Sequence, residues 1–260
     1  MTHPLLDKSF PWKLSIFPFL ELVFFVFANL ASSYLISFFL IIIASLFLSF
    51  SIHVFFHECV HSRDNFPFAI NIINTLLLGL PFDGYRIHHF NHHTYANGSK
   101  DFSSTWMMKK GNKTAYSPMQ YMFGWLHQLS LATYETDPFD KTLGDVDKIK
   151  PRTHVQKLAI ILFIIVLLLI GIKSLVLYFI MVYFGWAFSA LHNYGQHPPI
   201  KDEPVCTYAN TFYNFLFFNN GLHWEHHNKP WVSWDQIEID ENSYRIDLAH
   251  IISPFLESKK

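Results

Sequence analysis

Eleven of the 16 histidines stand in four short groups. The first is His57-Glu58-Cys59-Val60-His61 and the second His88-His89-Phe90-Asn91-His92-His93. The third is His192-Asn193-Tyr194-Gly195-Gln196-His197 and the fourth His223-Trp224-Glu225-His226-His227. Residues three or four apart share one face of a helix. His57 and His61 are four apart, while His89, His92, His93 and His223, His226, His227 each repeat the pattern i, i+3, i+4. Each group can therefore aim two or three imidazoles at one point. Three or four converging imidazoles satisfy one transition metal, and nine or more suggest two. His53 extends the first row by one turn and is expected to pack behind it. His3, His127, His154 and His250 stand alone and are read as ordinary.

The remaining composition says where such a centre would sit. Hydrophobic residues make up 51% of the 260 and charged residues 15%, well below the roughly 25% of a soluble domain. That excludes a disordered chain and an ordinary cytosolic enzyme, and a net charge of −1 leaves no basic surface for nucleic acid. The two cysteines, Cys59 and Cys206, are too far apart in sequence for a CxxC pair and too few for a disulfide framework. Between 14 and 56 the only charge is Glu21, and between 158 and 191 the only charge is Lys173. Each block is about twice the length of one membrane crossing. Two helical hairpins follow, with spans of about 14–31, 34–56, 155–171 and 174–192. Ala31-Ser32-Ser33 reads as the first turn and Gly171-Ile172-Lys173-Ser174 as the second.

Placing both turns on one side leaves all but one of the 19 Lys and Arg on the other. Positive residues near spans stay cytoplasmic. The expected fold is therefore an all-α membrane protein, one membrane-embedded domain over 1–260. Four transmembrane helices have both termini inside, and the cytoplasmic segments, about 57–154 and 193–260, form a helical cap holding the histidine-rich di-metal site. A soluble protein with two buried hairpins is the weaker reading. Residues 66–82 are apolar but must dip into the membrane and return, or lie at its surface, if the histidine groups work together. The aromatic run 121–134 is expected to rest on the membrane surface. A cleavable leader is not expected, with Pro4, Pro11 and Pro18 in the first twenty residues.

Two other chemistries use the same residue types. His57-Glu58-Cys59-Val60-His61 also satisfies HExxH, the zinc-protease helix with Glu58 as general base, but a protease needs one further ligand and leaves both HxxHH triplets unexplained. A metal transporter needs polar ligands inside its spans, and these spans are apolar.

The three boxes HxxxH, HxxHH and HxxHH, set between and after paired membrane helices, resemble the integral-membrane fatty acid desaturase superfamily, which includes lipid hydroxylases and carotenoid ketolases. The resemblance covers about 51–234. The Asn-Lys-Pro-Trp-Val-Ser-Trp that follows the third box is similar to the Pro- and Trp-containing tail there, and Asn193 with His197 matches an NxxxH element. It implies two iron ions, O2 as co-substrate and His57, His61, His89, His92, His93, His197, His223, His226 and His227 as ligands, with Asn193 reaching a metal through water. Asp83, Arg86 and Asp101, beside the second box, and Glu225, within the third, are candidates to orient ligand rings. The implied activity is desaturation of a lipid acyl chain, with hydroxylation or ketolation of a lipid or isoprenoid as the alternative. No GxGxxG, CxxC or haem motif is present, so electrons are expected from a separate ferredoxin- or cytochrome-type carrier. Lys100, Lys109, Lys110 and Lys113 read first as a solvated charged loop, and second as a docking surface for that carrier. The chain departs from the pattern at Ser62, where several acyl desaturases carry another His. Its size and the Trp-Glu of the third box are closer to bacterial-type members, including the ketolases.

Overall fold

A computed structural model describes residues 11–62, 67–109, 112–126, 146–200 and 202–256. They form two compact units. One holds the described residues between 11 and 87 and between 146 and 188; the other holds those between 88 and 126 and between 189 and 256. His3, His127 and Lys110 lie outside the described residues, as does the 127–134 part of the aromatic run.

The first unit carries the long apolar helices. α1 (Ile16–Leu30) and α2 (Tyr34–Phe50) form the first hairpin. Ala31 is extended, and the Ser33 side chain caps α2 by accepting from the Ile36 N–H. Stacked pairs Phe24–Phe47 and Phe17–Phe50 lock the two helices face to face. Glu21 is fully buried within α1, where the Ser51 hydroxyl donates to its carboxyl at 3.1 Å. α2 passes into a π-helical stretch, Ser51–Phe56, and then α3 (His57–His61). The second span is thus one continuous helical run, Tyr34–His61, longer than the 34–56 expected.

The second hairpin differs from expectation at its turn. α7 (Val146–Ile170) and α8 (Ile172–Gln196) are separated by Gly171 alone, whose φ of +153° suits glycine. Lys173 lies inside the first turn of α8, and its ammonium donates to the carbonyls of Asn29 and Ala31 at 2.9 and 2.6 Å. A cation at the end of α1 satisfies carbonyls that have no partner within that helix, which leaves the charge helical rather than in a loop. Trp12–Leu30, Tyr34–His61, Arg152–Ile170 and Ile172–Gln196 are each long and apolar enough to cross a membrane.

α4 (Phe68–Leu78) has 11 residues, about 16 Å at 1.5 Å per residue, and cannot cross a roughly 30 Å core. Its last carbonyls are taken from the side, Leu76 by the Tyr178 hydroxyl and Leu78 by the Trp186 indole N–H. Left-handed Gly79 ends it, and α5 (Phe82–Tyr95) begins three residues on. The first turn of α5 is tied to α7 by Asp83, whose N–H donates to Gln156 and whose carboxylate receives Gln156 and faces Arg152 at 3.2 Å.

The second unit contains His88–Tyr95 of α5, the last two turns of α8 from Ser189, and a set of short elements. α6 (Pro118–Phe123) starts with a capping box between Ser117 and Gln120. α9 (Thr211–Leu216), α10 (His223–Asn228) and α11 (Ser253–Leu256) follow. The unit is not wholly helical. β1 (Trp106–Lys109) and β2 (Asn112–Ala115) pair antiparallel, Trp106 opposite Ala115 and Lys109 opposite Asn112. Strands of four residues are too short to show a period-two pattern, and of these eight residues just Trp106 and Thr114 favour strands, so the segment departs from the expected all-helical cap without a sequence signal.

Candidate metal centre

Four imidazoles meet inside the second unit. His92 comes from α5, His197 from just past the end of α8, and His223 and His227 from successive turns of α10. The Nε2 atoms of His92 and His197 are 2.9 Å apart, those of His197 and His223 2.8 Å, and those of His223 and His227 3.2 Å. His92, His197 and His223 are buried. What makes the cluster a cation site is the other nitrogen of two of these rings. His92 Nδ1 lies 3.0 Å from the Asp101 carboxylate, and His197 Nδ1 lies 2.7 Å from the Pro204 carbonyl. Carboxylate and carbonyl oxygens only accept, so in a neutral ring each Nδ1 carries the proton and each Nε2 presents a lone pair. Two lone pairs at 2.9 Å do not hydrogen-bond to each other, but they are well placed to share a cation. Bond lengths of about 2.0–2.1 Å at right angles give an N–N separation near 3 Å.

A second group adjoins the first within the same unit. His226 and His93 face each other through Nε2 at 3.0 Å. The His89 ring is 4.5 Å from that of His93. His93 also stacks on His227, centroids 4.3 Å apart and planes 20° apart. Consecutive residues thus go to different groups: His92 to the first and His93 to the second, His227 to the first and His226 to the second. Successive residues on a helix point about 100° apart, so each short helix serves both. In the other unit His57 and His61 are both buried, with ring centroids 4.9 Å apart. An all-nitrogen set of neutral donors fits iron, zinc, copper or nickel.

The electrostatics favour uncharged rings. Burial, reinforced by neighbouring histidines, holds His197 and His223 well below the usual imidazole range. Burial likewise pushes His88 down to about 4, with Asp101 pulling the other way and His92 adding to the fall. Burial alone would raise Asp101. The adjacent His92, through charge and hydrogen bond, with His197 and the Asn97 N–H, holds its carboxyl below the ordinary value instead. Free histidine titrates near 6.5. Below that value the unfolded chain binds more protons than the folded one, and stability falls with pH. The metal-free protein should lose melting temperature steadily from about pH 7 to about pH 5. A flat profile would mean that the buried rings take up protons in the fold.

The residues expected to orient the rings divide. Asp101 does so directly: Oδ2 meets His92 Nδ1 and receives the Asn97 N–H at 2.7 Å, and Oδ1 receives the Ser103 N–H at 2.7 Å. An amide offers one acceptor oxygen, whereas the two oxygens of this carboxylate face three N–H donors. Asp101→Asn should therefore speed loss of a bound metal ion to a chelator by roughly 10–100-fold, with membrane insertion unchanged. Glu225 points its carboxylate elsewhere, to the Thr207 hydroxyl and the Asp240 N–H, and so anchors α10 from behind. The Asn193 amide donates to the Tyr121 hydroxyl at 2.8 Å and the Ser103 carbonyl at 3.3 Å. Asp83 ties α5 to α7, and Arg86 is buried in the same unit. Lys100 lies over the Tyr95 ring, while nothing is described of the side chains of Lys109 and Lys113.

Sequence reasoning missed the Pro204 carbonyl, because every residue has one. It also set His250 aside as ordinary. That ring is fully buried, 5.7 Å from His192 and 6.5 Å from His223 by centroids, and no spacing rule links position 250 to the boxes.

No curated protein and no solved structure matches the chain. A family model described as fatty acid desaturase matches residues 32–239, a stretch that contains every histidine of the two groups as well as His57 and His61. Four apolar helices, histidines gathered as metal ligands would be, and a match over most of the chain together place it in the fatty acid desaturase family.

Proposed function

We propose that the chain is a membrane-bound di-iron oxidoreductase that uses O2 and external electrons to desaturate a lipid acyl chain. The observation that carries this reading is the meeting of His92, His197, His223 and His227 through Nε2, with the Nδ1 atoms of His92 and His197 bonded to acceptors on the far side of their rings. His89, His93 and His226, with His57 and His61 added from the first box, would hold the second ion.

When bound, the iron pair supplies the capacity to reduce O2 and oxidise an unactivated C–H bond. Asp101 and the Pro204 carbonyl fix which nitrogen of His92 and His197 is free to ligate. Burial keeps His197 and His223 neutral, and a centre of neutral ligands would leave its full positive charge on the metals. In desaturation, two hydrogens leave adjacent carbons, two electrons from a carrier and two protons from water arrive, and one O2 becomes two waters. Positioning of the substrate carbon separates desaturation from hydroxylation. Asn193, on the helix turn before His197, is assigned to hold water beside one ion. Both termini and the metal centre are assigned to the cytoplasmic side, from the distribution of Lys and Arg.

The test is expression in a host with an active electron donor, followed by lipid and pigment profiling and metal analysis. A new acyl double bond and about two irons per chain are expected. A new hydroxyl or a keto-carotenoid would reassign the chain to those activities. Stoichiometric zinc with peptidase activity, or an unchanged profile, would overturn the reading.

A further inference from the structure

Asn97 lies just beyond the second histidine box, and neither box spacing nor helical pattern singles it out. It is 3% exposed and left-handed, with φ of 61°. Asparagine tolerates that conformation better than other residues with a side chain, glycine apart. Its hydrogen bonds run in two directions. The backbone N–H donates to Asp101 Oδ2 at 2.7 Å, the same oxygen that faces His92 Nδ1. The side-chain Nδ2 donates to the carbonyls of His197 at 3.3 Å and Pro198 at 3.4 Å. Its Oδ1 accepts the Thr105 N–H at 2.8 Å and the Ser104 hydroxyl at 3.2 Å. The Thr105 hydroxyl lies within reach of both Asn97 Oδ1 and the His197 carbonyl. One residue thus touches the partner of His92 through its backbone and the main chain of His197 through its amide.

We infer that Asn97 is a positioning residue of the metal centre, holding His92 and His197 at the separation at which their Nε2 atoms can bind one ion. The two ligands come from elements 105 residues apart in sequence. The Asp101 bond fixes the His92 ring but not its distance from His197. The bonds on the His197 carbonyl fix that segment but not the ring opposite. Asn97 is where the two sets of restraints join. The inference rests on the di-iron reading above and adds a residue that the boxes do not contain.

The experiment uses the full-length chain in detergent, loaded with ferrous iron and separately with cobalt(II), whose visible spectrum reports ligand number. Asn97→Gly keeps the left-handed backbone and the N–H to Asp101 but removes the amide. Asn97→Asp keeps an acceptor for Thr105 and turns a charged oxygen toward the carbonyls of His197 and Pro198. Both variants should release iron to a chelator roughly 10–100-fold faster than the parent. Both should also change the cobalt spectrum, which a fault in folding elsewhere would not do. Asn97→Gly leaves the buried Thr105 N–H without its acceptor, so its metal-free melting midpoint should fall by a few degrees with a cooperative transition retained. If either folded variant retains iron and cobalt as the parent does, the role of Asn97 is refuted and the di-iron reading stands. A parent chain that binds neither metal refutes both.

Discussion

On the proposed di-iron reading, His197→Ala should leave the chain inserted in the membrane and without turnover, with metal content falling from about two ions per chain to one or fewer. The expectation is this large because His197 is central to its group. Its Nε2 lies 2.9 Å from that of His92 on α5 and 2.8 Å from that of His223 on α10. Removing it leaves a cavity between two buried rings whose remaining partner cannot close the gap. The loss should not be one of folding, because the His197 backbone carbonyl, which receives Asn97 and Thr105, survives the change. Membrane fractionation, metal analysis and product profiling together check it. Retained turnover with a full metal complement would remove His197 from the ligand set, and a protein lost from the membrane would show that its ring serves the fold instead.

The second large effect is expected at a residue that binds nothing. Gly195 lies in the last turn of α8, two residues before His197, and a Cβ placed there would sit 1.8 Å from the His250 carbonyl oxygen. No side-chain rotation relieves a clash with backbone, so Gly195→Ala must push the 250 segment away from α8 or bend the turn that delivers His197. Overpacking of this kind typically costs about 1–3 kcal/mol and occasionally more. We expect a fall of several degrees in melting temperature and loss of metal from the group that contains His197. Gly84→Ala is the matched control. Its nearest neighbour is a Pro81 side-chain carbon at 3.8 Å, an ordinary contact, and alanine in a helix is favoured over glycine by about 1 kcal/mol. If both substitutions behave alike, close approach of backbone at Gly195 is not what governs the effect.

Much of this arrangement was legible in the sequence, for reasons that differ by element. The spans showed because charge is nearly absent over two long blocks, and hydrocarbon admits no other pattern. The boxes showed because i, i+3, i+4 is the repeat of a helix face. The same repeat could not show which histidines pair off. His92 and His93 are neighbours in sequence and part in space, and only the packing of α5 against α10 decides where each ring goes. The single-residue turn at Gly171 was hidden by Lys173, since a charge in an apolar run normally marks a loop. Here it marks the far end of α1, whose carbonyls it satisfies. Asp101 could be listed beside the second box, but nothing local separated it from Asp83, which serves a helix contact instead. The hub at Asn97 and the clamp on Glu225 join segments far apart in the chain, and such contacts leave no periodic trace.

The division of adjacent histidines between neighbouring groups has a consequence for how the centre fills. A first ion bound by His92 and His227 immobilises the two short helices that also carry His93 and His226, so the second ion would meet ligands whose ordering cost has already been met. On the di-iron reading, shared ordering favours the second ion while repulsion between two cations among neutral ligands opposes it, so filling should depart from independent steps as free ferrous iron is raised. Two independent hyperbolic steps would show that the groups fill without sensing each other.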